Sequence, residues 1–114
     1  MQVRDAMKGE VLTVTPARTL AEAAQHMHER GLSAALIIDP EQPGPGVVTQ
    51  RDLLRALGEG TDPARERVED HLTAGAKFAA PDWSLDQAAE AMVRGGFRHL
   101  AVIEGEDPVG VLAM

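Results

Sequence analysis

Cysteine is missing altogether from the 114 residues. That excludes a disulfide framework and any thiolate-held metal. Aromatic residues make up 3% of the chain, so a core has to be built from Leu, Val, Ile, Ala and Met. No apolar run approaches the ~18 residues that a membrane span needs. The opening Met1-Gln2-Val3-Arg4-Asp5 carries no apolar leader, so the cytoplasm is the expected location. Basic residues are outnumbered, 11 against 18 acidic ones, for a net charge of -7. A general nucleic-acid binder needs clustered Lys and Arg to displace counterions from phosphates. That class is therefore disfavoured, although a few converging basic residues can still hold one small anion. Missing too are a phosphate-binding glycine loop, a nucleophile elbow and a pair of catalytic carboxylates. An enzyme is not expected.

What is there is a repeat. Val3-Arg4-Asp5-Ala6-Met7 returns 65 residues later as Val68-Glu69-Asp70-His71-Leu72. Thr19-Leu20-Ala21-Glu22-Ala23-Ala24 returns as Ser84-Leu85-Asp86-Gln87-Ala88-Ala89, and Met27, Gly31 and Ile38-Asp39 return as Met92, Gly96 and Ile103-Glu104. One offset shared by apolar, turn and capping positions means two copies of one supersecondary unit. The expected division is residues 1–60 for the first copy and 61–114 for the second. Each half alone would be marginal, so the two are expected to form one module.

The spacing predicts the same elements in each copy. Thr19-x-x-Glu22 and Ser84-x-x-Gln87 are capping boxes that open helices. Leu20, Ala23, Ala24 and Met27, and likewise Leu85, Ala88, Ala89 and Met92, fall at helical spacing before a glycine stop. Ala34–Ile38 and Leu100–Ile103 are short and branched, as buried strands are. Pro/Gly-rich turns follow, over Pro40–Gly46 and Gly105–Pro108. A further strand follows each, Gly46–Val48 and Gly110–Leu112, and another precedes each capped helix, near Val11–Val14 and Lys77–Ala79. The first copy closes with a helix from Thr49 to about Leu57. Asp62-Pro63 is expected to start a short helix ahead of Leu72. The unit reads β-α-β-β-α, and the closing helix of the second copy is absent from the sequence.

Thr49-x-x-Asp52 is the constellation that carries chemistry. Thr49 suits an N-cap. Asp52 suits the box less well than the longer Glu22 or Gln87 of the other two. Arg98-His99 opens the second copy's strand where the first copy has the uncharged Ser33-Ala34. His26 and His28 diverge around their helix and cannot share a metal. The acidic turn Glu104–Asp107 lacks calcium-ligand spacing, and no metal site is expected.

With these residues in view, the chain resembles a tandem pair of CBS (cystathionine-β-synthase-type) domains, a Bateman module. The carriers are Val3-x-Asp5-x-Met7, Thr15-Pro16 with Thr19-Leu20-x-Glu22-Ala23, and above all Gly46-Val47-Val48-Thr49-Gln50-Arg51-Asp52-Leu53-Leu54. The second copy adds Val68–Leu72, Pro81–Ala89 and Gly96–Ile103. The resemblance implies an α+β fold of two β-α-β-β-α repeats related by pseudo-twofold symmetry, with sheets packed together and helices outside. It implies two clefts between the repeats that take adenosine compounds such as AMP, ADP, ATP or S-adenosylmethionine, as regulatory ligands and not as catalytic cofactors.

By resemblance Asp52 grips the ribose hydroxyls, Thr49 contacts ribose or phosphate, and Arg98 or His99 touches phosphate. Ser33, Val47, Ala76 and Lys77 would line the base pocket. The chemistry suits the roles: a carboxylate can accept from both hydroxyls of a cis-diol, and a helix N-terminus offers free N–H groups to an anion. The other cleft is expected to be dead. Its Thr position is Ala113, its Asp position lies past Met114, and its basic pair is replaced by Ser33-Ala34. The expectation is therefore one adenosine ligand per chain in a regulatory, homodimeric module. The competing expectation is a structural dimerisation module that binds no ligand.

Overall fold

The computed structural model describes residues 1–41, 46–72, 78–105 and 107–113. It is an α+β protein with two three-stranded sheets. The elements run α1 (Val3–Ala6), β1 (Thr13–Val14), α2 (Leu20–Arg30), β2 (Ala34–Ile37), β3 (Gly46–Thr49), α3 (Gln50–Gly58), a single 3₁₀ turn (Val68–Asp70), β4 (Phe78–Ala79), α4 (Leu85–Gly95), β5 (His99–Glu104) and β6 (Asp107–Ala113). Two compact units result. One is the continuous run Leu12–Ala76, and the other joins Met1–Val11 to Lys77–Met114.

In the continuous unit the strand order is β1-β2-β3. β1 lies parallel to β2, and β3 returns antiparallel with Ala34 opposite Thr49 and Ile37 opposite Gly46. All four residues of β2 are buried, which accounts for an apolar run without alternation. Ala35, Ile37 and Val48 join Leu20, Ala23 and Met27 of α2 and Ala56 of α3 in one cluster. Leu36 and Val47 stand on the opposite face of the strands and are buried as well. The helix α2 starts where its capping box dictates. The Glu22 amide donates to Thr19 Oγ1 at 3.1 Å, and Thr19 N–H donates to Glu22 Oε1 at 3.2 Å. It stops at Gly31, whose φ of 65° is left-handed. Gly96 stops α4 in the same way at φ 71°, a conformation that costs a glycine nothing.

The discontinuous unit repeats this plan in the order β4-β5-β6. Its cluster gathers Ala79, Ala88, Met92, Leu100, Val102 and Leu112. β6 is longer than the sequence predicts. It takes in Asp107 and Pro108, with Pro108 paired to Ile103 at a register irregularity between Val102 and Ile103. A proline tolerates a strand at such a point because no ladder hydrogen bond is asked of it. The expected helix start at Pro63 is instead a turn, with Asp62 Oδ1 accepting from Ala64 N–H at 3.0 Å, and only the 3₁₀ turn follows.

The leading segments are exchanged. Val68 N–H donates to the Arg18 carbonyl at 2.8 Å, Glu69 N–H to Pro16 at 3.2 Å, and Leu20 N–H to Glu66 at 2.9 Å. In the other unit Val3 N–H donates to Trp83 at 2.8 Å, Arg4 N–H to Pro81 at 3.0 Å, and Leu85 N–H to Met1 at 3.1 Å. Every donor and acceptor of one set lies 65 positions from its counterpart in the other. The start of each copy thus completes the unit built on the other copy's sheet. Two glycines make room for it. A Cβ on Gly46 would stand 3.1 Å from Leu72 Cδ1, and one on Gly110 would stand 2.6 Å from Met7 Sδ and 2.7 Å from the Lys8 carbonyl. Met7 and Leu72 are again 65 positions apart.

Candidate functional site

β3 runs straight into α3, and the junction is Thr49. Its backbone is extended, so its side chain can turn back over the first helical turn. Thr49 Oγ1 accepts from Asp52 N–H at 3.2 Å, while Asp52 Oδ2 accepts from Thr49 N–H at 2.9 Å and from Thr49 Oγ1–H at 3.1 Å. The box is complete. Asp52 suits a capping box less well by side-chain length than Glu22 or Gln87, yet the shorter carboxylate closes this one at ordinary hydrogen-bond lengths.

Asp52 is 8% exposed, the one buried charged residue among those described. Its second oxygen, Oδ1, takes no part in the box and lies 3.7 Å from an Arg55 guanidinium nitrogen. Burial of a carboxylate against one exposed cation and a helix N-terminus leaves that oxygen able to accept from a polar partner. Ser33 precedes β2 and is half-buried, and its carbonyl accepts from Gln50 N–H at 3.0 Å. Val47 sits opposite Leu36 and is 4% exposed. These four residues, Thr49, Asp52, Ser33 and Val47, belong to the continuous unit.

Arg98 and His99 belong to the other unit. Arg98 is exposed just before β5, and His99 is half-buried at its first position, opposite Ala113. The pairings Ala34 to Thr49 and His99 to Ala113 make Ala113 the register equivalent of Thr49. The second copy therefore presents a methyl group where the first presents a hydroxyl. Ala76 and Lys77 lie outside the described residues. Among the described residues no group of three His, Cys, Asp or Glu side chains could hold a metal ion, and no helix is long and apolar enough to cross a membrane. His26 and His28 are exposed, and His71 stands 3.8 Å from Glu66 Oε2.

Two segments of the chain, residues 3–59 and 68–114, match the CBS domain family profile. The chain belongs to the CBS domain family and carries two copies of the domain. It is 33% identical over 95 residues to an uncharacterized 17.7 kDa protein of Acidianus ambivalens, covering 83% of this chain. The curated relatives are longer, for the chain spans 57% of that protein and 39% of another, from Methanocaldococcus jannaschii. Among solved structures, a hexameric CBS-CP12 protein from bloom-forming cyanobacteria superposes with a TM-score of 0.93 at 24% identity, over 100% of this chain and 67% of that one. A CBS domain protein from Pyrobaculum aerophilum complexed with AMP gives 0.85 at 23% identity, over 99% of this chain and 87% of that one.

Proposed function

We propose that the chain is a regulatory, non-catalytic module that binds one adenosine-containing compound, of the AMP, ADP, ATP or S-adenosylmethionine class. The observation that carries this reading is Asp52. It is the one buried charge among the described residues, and it has an oxygen left over from the capping box. A ribose cis-diol is a fitting donor to that oxygen, and the free N–H groups of the first turn of α3 suit a phosphate. Arg98 and His99 are assigned to the phosphate, with Ser33, Val47, Ala76 and Lys77 around the base, by resemblance to the family. A structural neighbour of the same fold carries AMP. We assign the module to the cytoplasm and to a homodimer.

One observation favours a second reading. The box already gives Thr49 and Asp52 a structural task, as a ligand-free dimerisation module requires. Thermal unfolding with and without AMP, ATP and S-adenosylmethionine separates the two. A specific ligand at a hundredfold excess over Kd stabilises by about 2.7 kcal/mol. No shift with any of the three defeats the sensing reading.

A further inference from the structure

The first eleven residues form a strap with unusual connectivity. Val3 is fully buried among Leu100, Val102 and Leu112. Lys8 and Val111 exchange two backbone hydrogen bonds of 3.0 Å, so the strap covers the outer edge of β6. Met7 lies against Gly110. Each of these partners follows Lys77 in the chain. The whole of Leu12–Ala76 is inserted between the strap and what it docks on. The equivalent segment, Glu66–Leu72, is placed differently. It reaches Pro16, Arg18 and Leu20 inside one continuous run.

We infer that the strap reports the state of the inserted unit: Met1–Val11 docks only while Leu12–Ala76 is folded, whereas Leu12–Ala76 holds without the strap. The reason is loop closure. An unfolded insert makes strap docking the closure of a flexible loop, whose probability falls as the three-halves power of its length. For an insert spanning Leu12–Ala76 the factor is on the order of 500. A folded insert gathers Leu12 and Leu72 into one cluster and thereby removes most of that penalty. Release of the strap uncovers a defined surface, the unpaired backbone of β6 at Val111 and the apolar slot of Val3. A bare strand edge of that kind readily pairs with another chain. Events that loosen the inserted unit are thereby converted into exposure of an edge in the other unit, and events that tighten it keep the edge closed.

Native-state hydrogen exchange on the full chain tests this, with equivalent substitutions in the two cores. Ile37→Val acts in the inserted unit and Val102→Ala in the other, at buried positions 65 apart. The strap reporters are the amides of Lys8 and Val111, and the insert reporters are those of Leu36, Ile38 and Gln50. Ile37→Val is expected to speed both sets, by about three- to tenfold. Val102→Ala is expected to speed the strap set and leave the insert set within about twofold of wild type. Acceleration of Leu36 and Gln50 by Ile37→Val without Lys8 and Val111 overturns the inference. So does equal acceleration of both sets by Val102→Ala, which would make the chain one cooperative unit.

Discussion

Val3 and Val68 occupy the same position of the repeat, and each is fully buried in the core built by the other copy's sheet. The exchange is made at backbone level by three matched hydrogen bonds in each unit. Burial of a valine side chain is worth about 1.5–3 kcal/mol. Val3→Ala and Val68→Ala are therefore expected to destabilise by comparable amounts, although one residue lies next to the chain's start and the other in its middle. Denaturant midpoints measure both. A near-neutral Val3→Ala would show that the strap is not held by its side chain.

The two strand glycines are equivalent in place but not in what a methyl would meet. At Gly110 the added carbon collides with a backbone carbonyl at 2.7 Å, which cannot swing aside. At Gly46 it meets the end of a leucine at 3.1 Å, which yields by a few tenths of an ångström. Gly110→Ala is expected to cost about 1–3 kcal/mol, as overpacking does. Gly46→Ala is expected to cost clearly less. Equal losses would mean that the strap shifts as freely as a side chain.

Asp52→Asn separates the structural task of that residue from the proposed one. The amide oxygen can still accept from Thr49 N–H, so the stability change should stay under about 1 kcal/mol. The charge that would hold a ribose diol is gone. Affinity for AMP is expected to fall by about 1.5–3 kcal/mol, the worth of a hydrogen bond to a charged group. Calorimetry on both proteins reads it directly. Unchanged affinity removes Asp52 from the ligand.

Much of this was legible because it is local. Thr19 with Glu22, Ser84 with Gln87 and Thr49 with Asp52 are capping patterns that span one helical turn, and all three boxes form. Met27 and Met92 fall on apolar stripes and are 2% exposed. The exchange was not legible. The repeat tells which residues are equivalent, but not which copy's sheet receives Val3, since both sheets offer the same slot. α1 has four residues, too few for helical periodicity to register. Pro108 reads as a turn residue because nothing local announces the irregularity beside Ile103 that admits it to β6. Side-chain length ranks Asp52 below Glu22 and Gln87 as a box residue, but Asp52 Oδ2 still reaches the Thr49 amide at 2.9 Å.

Glu22 gives the capping box of α2 a pH dependence that the box of α4 lacks. The hydrogen bond from Arg18, at 2.6 Å, and those from the Thr19 backbone and hydroxyl hold its carboxyl below the ordinary 4.5. A lowered pKa in the folded state adds stability above the unfolded value and loses it as pH falls through the folded one. In α4 the same place is taken by Gln87, which does not titrate. Glu22→Gln is expected to flatten the fall in stability below about pH 4.5 and to leave the neutral-pH box nearly intact. Parallel acid curves for the two proteins would show that Glu22 gains nothing in the fold.

Ala113 sets an expected stoichiometry. It holds the register position of Thr49, opposite His99, and offers no hydroxyl. Saturating calorimetric titration with AMP is expected to give one site per chain. Two equivalent sites would show that the Thr49 hydroxyl is dispensable and that the second copy binds through backbone alone.

The exchange also fixes which stretch of chain is a folding unit. Residues 1–60 contain a complete sequence repeat but lack Val68 and Leu72, which fill the cluster around Leu20, Ile37 and Val48. Leu12–Ala76 contains every member of that cluster and the backbone hydrogen bonds that close it, accepted by Glu66 from Leu20 and donated by Val68 and Glu69 to Arg18 and Pro16. At this size a domain buries only about 60% of the surface its unfolded chain exposes, so a missing buried valine and the missing backbone bonds to residues 61–69 decide whether a core closes. Leu12–Ala76 is expected to unfold cooperatively in urea, and residues 1–60 to show a broad, featureless transition. The comparison is direct, since the fragments differ by little in length and share β1 through α3. A cooperative 1–60 fragment would mean that the copy's own leading segment can fold back onto its own sheet, and that the exchange reflects the connector and not the fit of Val68.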